Sequence, residues 1–288
     1  MGRRQVVRHR VLVPTFLGSN PSGPVLGTVK SFNPILVFDF DGVIVNGIDE
    51  YWFSSRAACL YLLRDSGNTA SLPHSIPKSF KKLRPWIHEG WEMVLLAAEI
   101  LRPNSSLILQ SQKLTSADYS FLREEALKFW EWNPLELQNA LERSRKSAIK
   151  HDKRSWLNLH QPFPHVVKRI NQLADERIQW AVLTTKGAEF TKELLQSLDL
   201  KPDLLFGHES GSKSKVLKQL IENNYSILGF VEDRLETLET IINTPELSSI
   251  PCYLASWGYL KPSDQETKNQ EIHLLKPETF ATPLANWN

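Results

Sequence analysis

Apolar residues follow two patterns along this chain, and the switch between them divides it into segments. Residues 35–38 read Ile-Leu-Val-Phe, an unbroken apolar run suited to a strand buried on both faces. Short runs of the same kind recur at 180–183, 204–206, 227–231 and 253–255. Between them, apolar positions fall at helical spacing: Val166, Val167, Ile170, Leu173 and Ala174; Phe190, Leu194, Leu195 and Leu198; Val216, Leu217, Leu220 and Ile221; Leu235, Leu238, Ile241 and Ile242. Short buried strands alternating with helices of this length predict parallel β-α-β units and an α/β fold.

The stretch 46–160 interrupts that alternation. It offers helical segments at 49–63, 85–101, 116–132 and 134–150 and little strand signal, with Pro73, Pro77 and Pro103 marking loops. Six of the nine tryptophans fall here. The pattern reads as a helical domain of residues 46–160 inserted after the first strand of a core made of 35–45 and 161–288.

The first 34 residues have Arg3, Arg4, Arg8, Arg10 and Lys30 and no acidic residue, and they are punctuated by Gly, Pro and Ser. Residues 1–34 read as a disordered basic tail or an upstream extension, with organelle targeting as the other reading. The apolar stretch VLVPTFL is too short for a secretory signal and is broken by Pro14.

Composition narrows the function classes. With 41% hydrophobic and 23% charged residues the chain is an ordinary globular sequence. A net charge of +2 argues against a chain-wide nucleic-acid footprint. No apolar run reaches the roughly 18 residues of a membrane span. Cys59 and Cys252 form no C-x-x-C pair, and the expected location is cytoplasmic. His160 and His165, the closest histidine pair, read as loop and helix-start residues rather than metal ligands.

The chemistry sits at strand ends. Asp39 and Asp41 close the first strand and are followed by Gly42, at the end of a parallel sheet where ligands bind. Gly42 permits a sharp turn that brings backbone N–H groups close to a ligand. Two neighbouring carboxylates are costly to bury unless a cation offsets them, and hard oxygen donors favour Mg²⁺. Glu232 and Asp233 end the strand at 227–231 and could complete a divalent-metal site. Thr184 and Thr185 end the strand at 180–183, where hydroxyls and turn N–H groups can hold an anion. Lys213 opens a helix, where a cation opposes the helix dipole unless an anion accompanies it, and Lys215 competes for that role. In chain order these groups supply a nucleophile, an anion cradle, a counter-charge and a metal site. Together they describe phosphoryl transfer.

The motifs stand as Asp39-Phe40-Asp41-Gly42-Val43-Ile44, Thr184 in VLTTK, Lys213 in GSKSKVL, and Glu232-Asp233 in GFVEDRLETL. With them the chain resembles the haloacid dehalogenase superfamily, in its phosphatase-like branch, over roughly 35–45 and 161–245. The resemblance implies a Rossmann-like core with an inserted α-helical cap and a small phosphorylated substrate. It implies Mg²⁺ held by Asp39, Asp233 and the backbone carbonyl of Asp41, with Glu232 beside them, and phosphate binding by Thr184, Thr185, Lys213 and Gly42. Asp39 would be the nucleophile and Asp41 the general acid and base. The chain departs from the pattern at Asn46 and Thr237, where many relatives carry acids, and lacks a Lys-Pro pair in the lysine motif.

The expected activity is a Mg²⁺-dependent phosphatase working through an aspartyl-phosphate. The alternatives are a phosphomutase of the β-phosphoglucomutase kind and a non-catalytic phosphoester-binding protein. In the cap, Arg84 and His88 lie in LRPWIHEGWE and are candidates to read the leaving group; the competing reading makes Arg84 a surface residue beside cap-core tryptophans. The basic stretch 142–154 reads as a solvated helix face. Oligomeric state is not legible in the chain.

Overall fold

The computed structural model describes residues 33–65, 67, 69–163, 166–266 and 269–287. The basic leader up to residue 32 and His165 lie outside the described residues. The chain enters through β1 (Asn33–Phe38), turns at Asp41-Gly42 and leaves by the short β2 (Val45–Asn46). There follow α1 (Ile48–Asp65), α2 (Lys78–Leu83), α3 (Gly90–Leu101), α4 (Ser106–Leu109), α5 (Ser116–Trp130) and α6 (Pro134–Leu157). The short β3 (Gln161–Pro162) returns antiparallel to β2, pairing Val45 with Pro162 and Asn46 with Gln161. Both chain crossings between cap and core thus run through one two-stranded ribbon.

The core then alternates as α7 (Val166–Gln172), β4 (Gln179–Leu183), α8 (Ala188–Ser197), β5 (Leu204–Phe206), α9 (Lys213–Glu222), β6 (Tyr225–Glu232), α10 (Leu235–Ile242), β7 (Cys252–Ala255), β8 (Ile272–Leu275) and α11 (Pro277–Phe280). The six-stranded sheet has the order β5-β4-β1-β6-β7-β8, and all its pairings are parallel. This is a Rossmann-like α/β core with an inserted helical cap. Side-chain alternation splits β1 between two cores. Leu36 and Phe38 join Val166, Ile170, Leu194 and Phe280 on one face, while Ile35 and Val37 join Val216, Leu220, Leu238 and Ile241 on the other.

The cap has its own core. Trp52, Trp86 and Trp91 are buried in it with Phe80, Leu83, Val94 and Leu137. Trp156, in sequence part of the cap, instead packs in the sheet-face core with Trp180. The last cap helix breaks at Asp152, which leaves helical conformation at φ −153° and ψ 91°. Its carboxylate accepts from the Ser155 amide at 3.0 Å and restarts the helix.

Some elements differ from the sequence reading. β1 begins at Asn33, inside the stretch read as leader, because Pro34 needs no ladder N–H at a strand start. β8 and α2 carry too few apolar residues in phase to register as periodic elements. The stretch 142–154 is not a uniformly solvated face. Arg145 turns inward and binds the fully buried Glu50 through Nε and Nη2 at 2.7 and 2.8 Å. No helix among the described residues is long and apolar enough to cross a membrane.

Candidate active site

Three neighbouring strands of the sheet, β4, β1 and β6, end side by side, with Phe38 paired to both Val182 and Val231. The next residues out are Thr184, Asp39 and Glu232-Asp233, so groups separated by up to two hundred positions share one crevice. Asp39 is 6% exposed, Glu232 2% and Asp233 7%. One ligand oxygen from each of the three carboxylates lies within 4.8 Å of the others.

Lys213, the first residue of α9, reaches into this cluster. Its Nζ donates to Asp39 Oδ1 at 2.7 Å and to Glu232 Oε2 at 2.5 Å. Burial alone would lower this ammonium, but the two carboxylates hold it up. Lys215 is exposed, and its stem lies under Gly211. Burial and the surrounding negative charge raise Glu232 to about 8 despite Lys213. Burial and Asp39 raise Asp233 to about 6. The cluster is therefore short of positive charge, and its all-oxygen donor set fits Mg²⁺.

Backbone geometry makes the cluster compact. Gly42 has φ +92°, and a Cβ there would stand 1.8 Å from Asp233 Oδ2. The turn closes through Gly42 N to Val45 O at 2.9 Å and Ile44 N to Phe40 O at 2.9 Å. From the opposite side, a Cβ on Gly258 would come within 2.3 Å of Asp233 Cβ and 2.7 Å of the Gly42 carbonyl. The Tyr259 amide donates to Asp233 Oδ2 at 2.8 Å.

Asp41 is partly exposed, and its buried Oδ1 has no hydrogen-bond partner. Lys186 Nζ stands 3.4 Å from that oxygen. Thr184 is buried and its Oγ1 accepts from the Lys186 amide at 3.1 Å, whereas Thr185 is exposed. From the cap, the Arg84 guanidinium lies beside the neighbouring rings of Tyr51 and Tyr259, 4.9 and 4.1 Å from their centroids. It is half-buried, not a surface residue. His88 is exposed, and its Nδ1 faces Arg234 Nη1 at 3.0 Å.

Lys186, Tyr51, Tyr259, Arg234 and Gly258 escaped the sequence reading. Lys186 directly follows Thr184-Thr185 and was within reach of that motif. Tyr259 and Gly258 follow β7 in a segment with no pattern of its own. Asn46, where relatives carry an acid, accepts from Tyr259 Oη at 2.6 Å and from the Ile48 amide at 3.1 Å, capping α1.

A crystal structure of a predicted phosphatase from Clostridium acetobutylicum superposes with a TM-score of 0.51, at 13% identity, over 84% of this chain and 94% of that one. A predicted phosphoglycolate phosphatase from Haemophilus somnus gives 0.50 at 18% identity, over 88% and 97%. The chain shares the fold of these two proteins. No protein-family model and no curated protein sequence matches it. The residues of the four sequence motifs converge at the carboxyl ends of β4, β1 and β6.

Proposed function

We propose that the protein is a Mg²⁺-dependent phosphatase that hydrolyses a small phosphate monoester through an aspartyl-phosphate on Asp39. The observation that carries this reading is the convergence of Asp39, Lys213, Glu232 and Asp233 on one buried point at the carboxyl end of the sheet. Asp39 and Asp233, with the main-chain carbonyl of Asp41, would hold the metal, while Glu232 keeps Lys213 in place. Bound Mg²⁺ would offset the repulsion between the nucleophilic carboxylate and the phosphoryl oxygens.

A carboxylate oxygen of Asp39 attacks phosphorus, the bond to the ester oxygen breaks, and Asp41 gives that oxygen its proton. Asp41, now ionised, takes a proton from water. That water attacks phosphorus, breaks the bond to Asp39 and releases phosphate. Lys213 and the Thr184 hydroxyl bind phosphoryl oxygens, where fixed donors in a dry site lower the barrier most. The cap excludes bulk water from this step.

The test is phosphate release from a panel of sugar, carboxylic-acid and nucleotide monophosphates, with and without Mg²⁺. The expected result is release that requires Mg²⁺ and falls at least about a thousandfold in Asp39→Asn. Undiminished release by a folded Asp39→Asn variant would overturn the mechanism. Sugar-phosphate isomerisation without net phosphate release would replace the phosphatase with a mutase.

A further inference from the structure

The cap leaves the core through the linker between β2 and α1, and Gly47 is the one residue between those two elements. Both groups that flank this point are held by a single hydroxyl. The Gly47 amide donates to Tyr259 Oη at 3.0 Å, and Tyr259 Oη donates to Asn46 Oδ1 at 2.6 Å. The phenol thus accepts from one linker residue and donates to its neighbour, using both of its capacities. Asn46 Oδ1 also accepts from the Ile48 amide at 3.1 Å, so the bracket extends into the first turn of α1.

Tyr259 comes from the core, in the loop after β7, and the same loop grips the metal cluster. The Tyr259 amide donates to Asp233 Oδ2 at 2.8 Å. Gly258 lies so close that a Cβ on it would stand 2.3 Å from Asp233 Cβ and 2.7 Å from the Gly42 carbonyl. Trp257 Nε1 donates to the Val43 carbonyl at 3.0 Å, in the turn that follows Asp41. On its other side, the Tyr259 ring packs against the cap core, with the Arg84 guanidinium 4.1 Å from its centroid. Three consecutive residues therefore touch a cluster carboxylate, the turn beyond Asp41, the linker and the cap. A tyrosine side chain has only two torsions between main chain and ring, and packing against both cap and core holds them in place. A shift of the Tyr259 amide with Asp233 is consequently carried to the hydroxyl that brackets the linker.

We propose that Tyr259 is a positioning residue that ties the cap linker to the metal cluster, so that filling the cluster and fixing the cap over it are one coupled equilibrium. This rests on the metal-site part of the proposed function and is independent of which phosphate ester is hydrolysed. Such coupling is reciprocal: the factor by which Mg²⁺ steadies the linker is the factor by which the bracketed linker tightens Mg²⁺. Its use to the enzyme is order, because the cap that excludes water is then held in place when the cluster is loaded.

The experiment is hydrogen exchange of the full chain with and without Mg²⁺, alongside calorimetric titration with Mg²⁺ alone. In the wild type, Mg²⁺ should slow exchange across 46–51 by at least about fivefold relative to the central strands. Tyr259→Phe keeps the ring and the main-chain bond to Asp233 and removes only the hydroxyl. It should abolish the Mg²⁺ response of 46–51 and weaken Mg²⁺ binding by a matching factor. Asn46→Val, which removes the acceptor from the other side of the same bond, should do likewise, and Asn46→Asp, which keeps an acceptor, should retain the response. A merely structural hydroxyl would speed exchange at 46–51 equally with and without Mg²⁺, leaving the Mg²⁺-induced difference intact, and that result would overturn the proposal. A wild type that binds Mg²⁺ with no change across 46–51 would overturn the coupling alone. A wild type that binds no Mg²⁺ would remove the metal-site reading, and the coupling with it.

Discussion

Asp39, Glu232 and Asp233 are individually ordinary acids, and their proximity under burial gives them their chemistry. Because Asp233 and Glu232 are raised by burial and by the charge of Asp39, a divalent cation should bind with release of protons. Mg²⁺ at about a hundred times its Kd should stabilise the wild type by ~2.7 kcal/mol, seen as a higher Tm, and Asp233→Asn should lose most of that gain. Lys213→Met should cost at least about a hundredfold in turnover, whereas Lys215→Met, at an exposed position, should stay within about twofold. The packing around Asp233 is as demanding as its charge. Gly258→Ala drives a Cβ to 2.3 Å from Asp233 Cβ with the Gly42 carbonyl behind it, and should lower stability by about 1–3 kcal/mol while weakening Mg²⁺ binding. Of these residues the motifs were readable because each sits at a strand end or helix start with a polar side chain out of pattern. Gly258 was not, because what it avoids is a collision between segments distant in the chain.

Element by element, the buried run at 35–38 and the helical phases of the core were legible because burial on a sheet dictates their periodicity. The cap helices were legible too, though not what ties them together. α1 and α6 are joined by Glu50 and Arg145, with Ser54 Oγ donating to Glu50 Oε1 at 2.6 Å. Burial alone would raise Glu50, but Arg145 holds it well below its ordinary value of 4.5. A carboxylate depressed in the folded state contributes stability that is present above the unfolded value and is lost as pH falls below it. The wild type should therefore lose stability as pH drops below about 4.5, and Glu50→Gln should flatten that part of the profile. Arg145→Met leaves Glu50 charged and buried without its arginine, and should cost about 3–5 kcal/mol in chemical denaturation.

Across the whole molecule, two cations of the core, Arg234 and Lys261, reach the cap. Arg234, next to the metal-cluster Asp233, bonds the Ile87 carbonyl and the His88 ring. Lys261 pairs with Glu236 and lies over the cap's Trp86, 4.8 Å from its ring centroid. Arg234→Ala should release the cap, and hydrogen exchange should rise across 84–92 relative to the sheet; unchanged protection there would show that the Arg234 contacts do not hold the cap.

What the chain announces in one dimension is whatever depends on local order: alternation of strand and helix, an insertion rich in tryptophan, and polar residues at the ends of elements. Those features dictated the α/β class and the four motifs, because burial on a parallel sheet forces both the apolar runs and the position of whatever follows them. Only the tertiary structure decided which charges meet. The pairing of Arg145 with Glu50 rather than with solvent, the approach of Lys186 to Asp41, and the approach of Arg84 to the rings of Tyr51 and Tyr259 each join residues 33 to 175 positions apart. No spacing along the chain encodes such contacts. They arise when the cap closes on the strand ends and brings side chains of distant segments together.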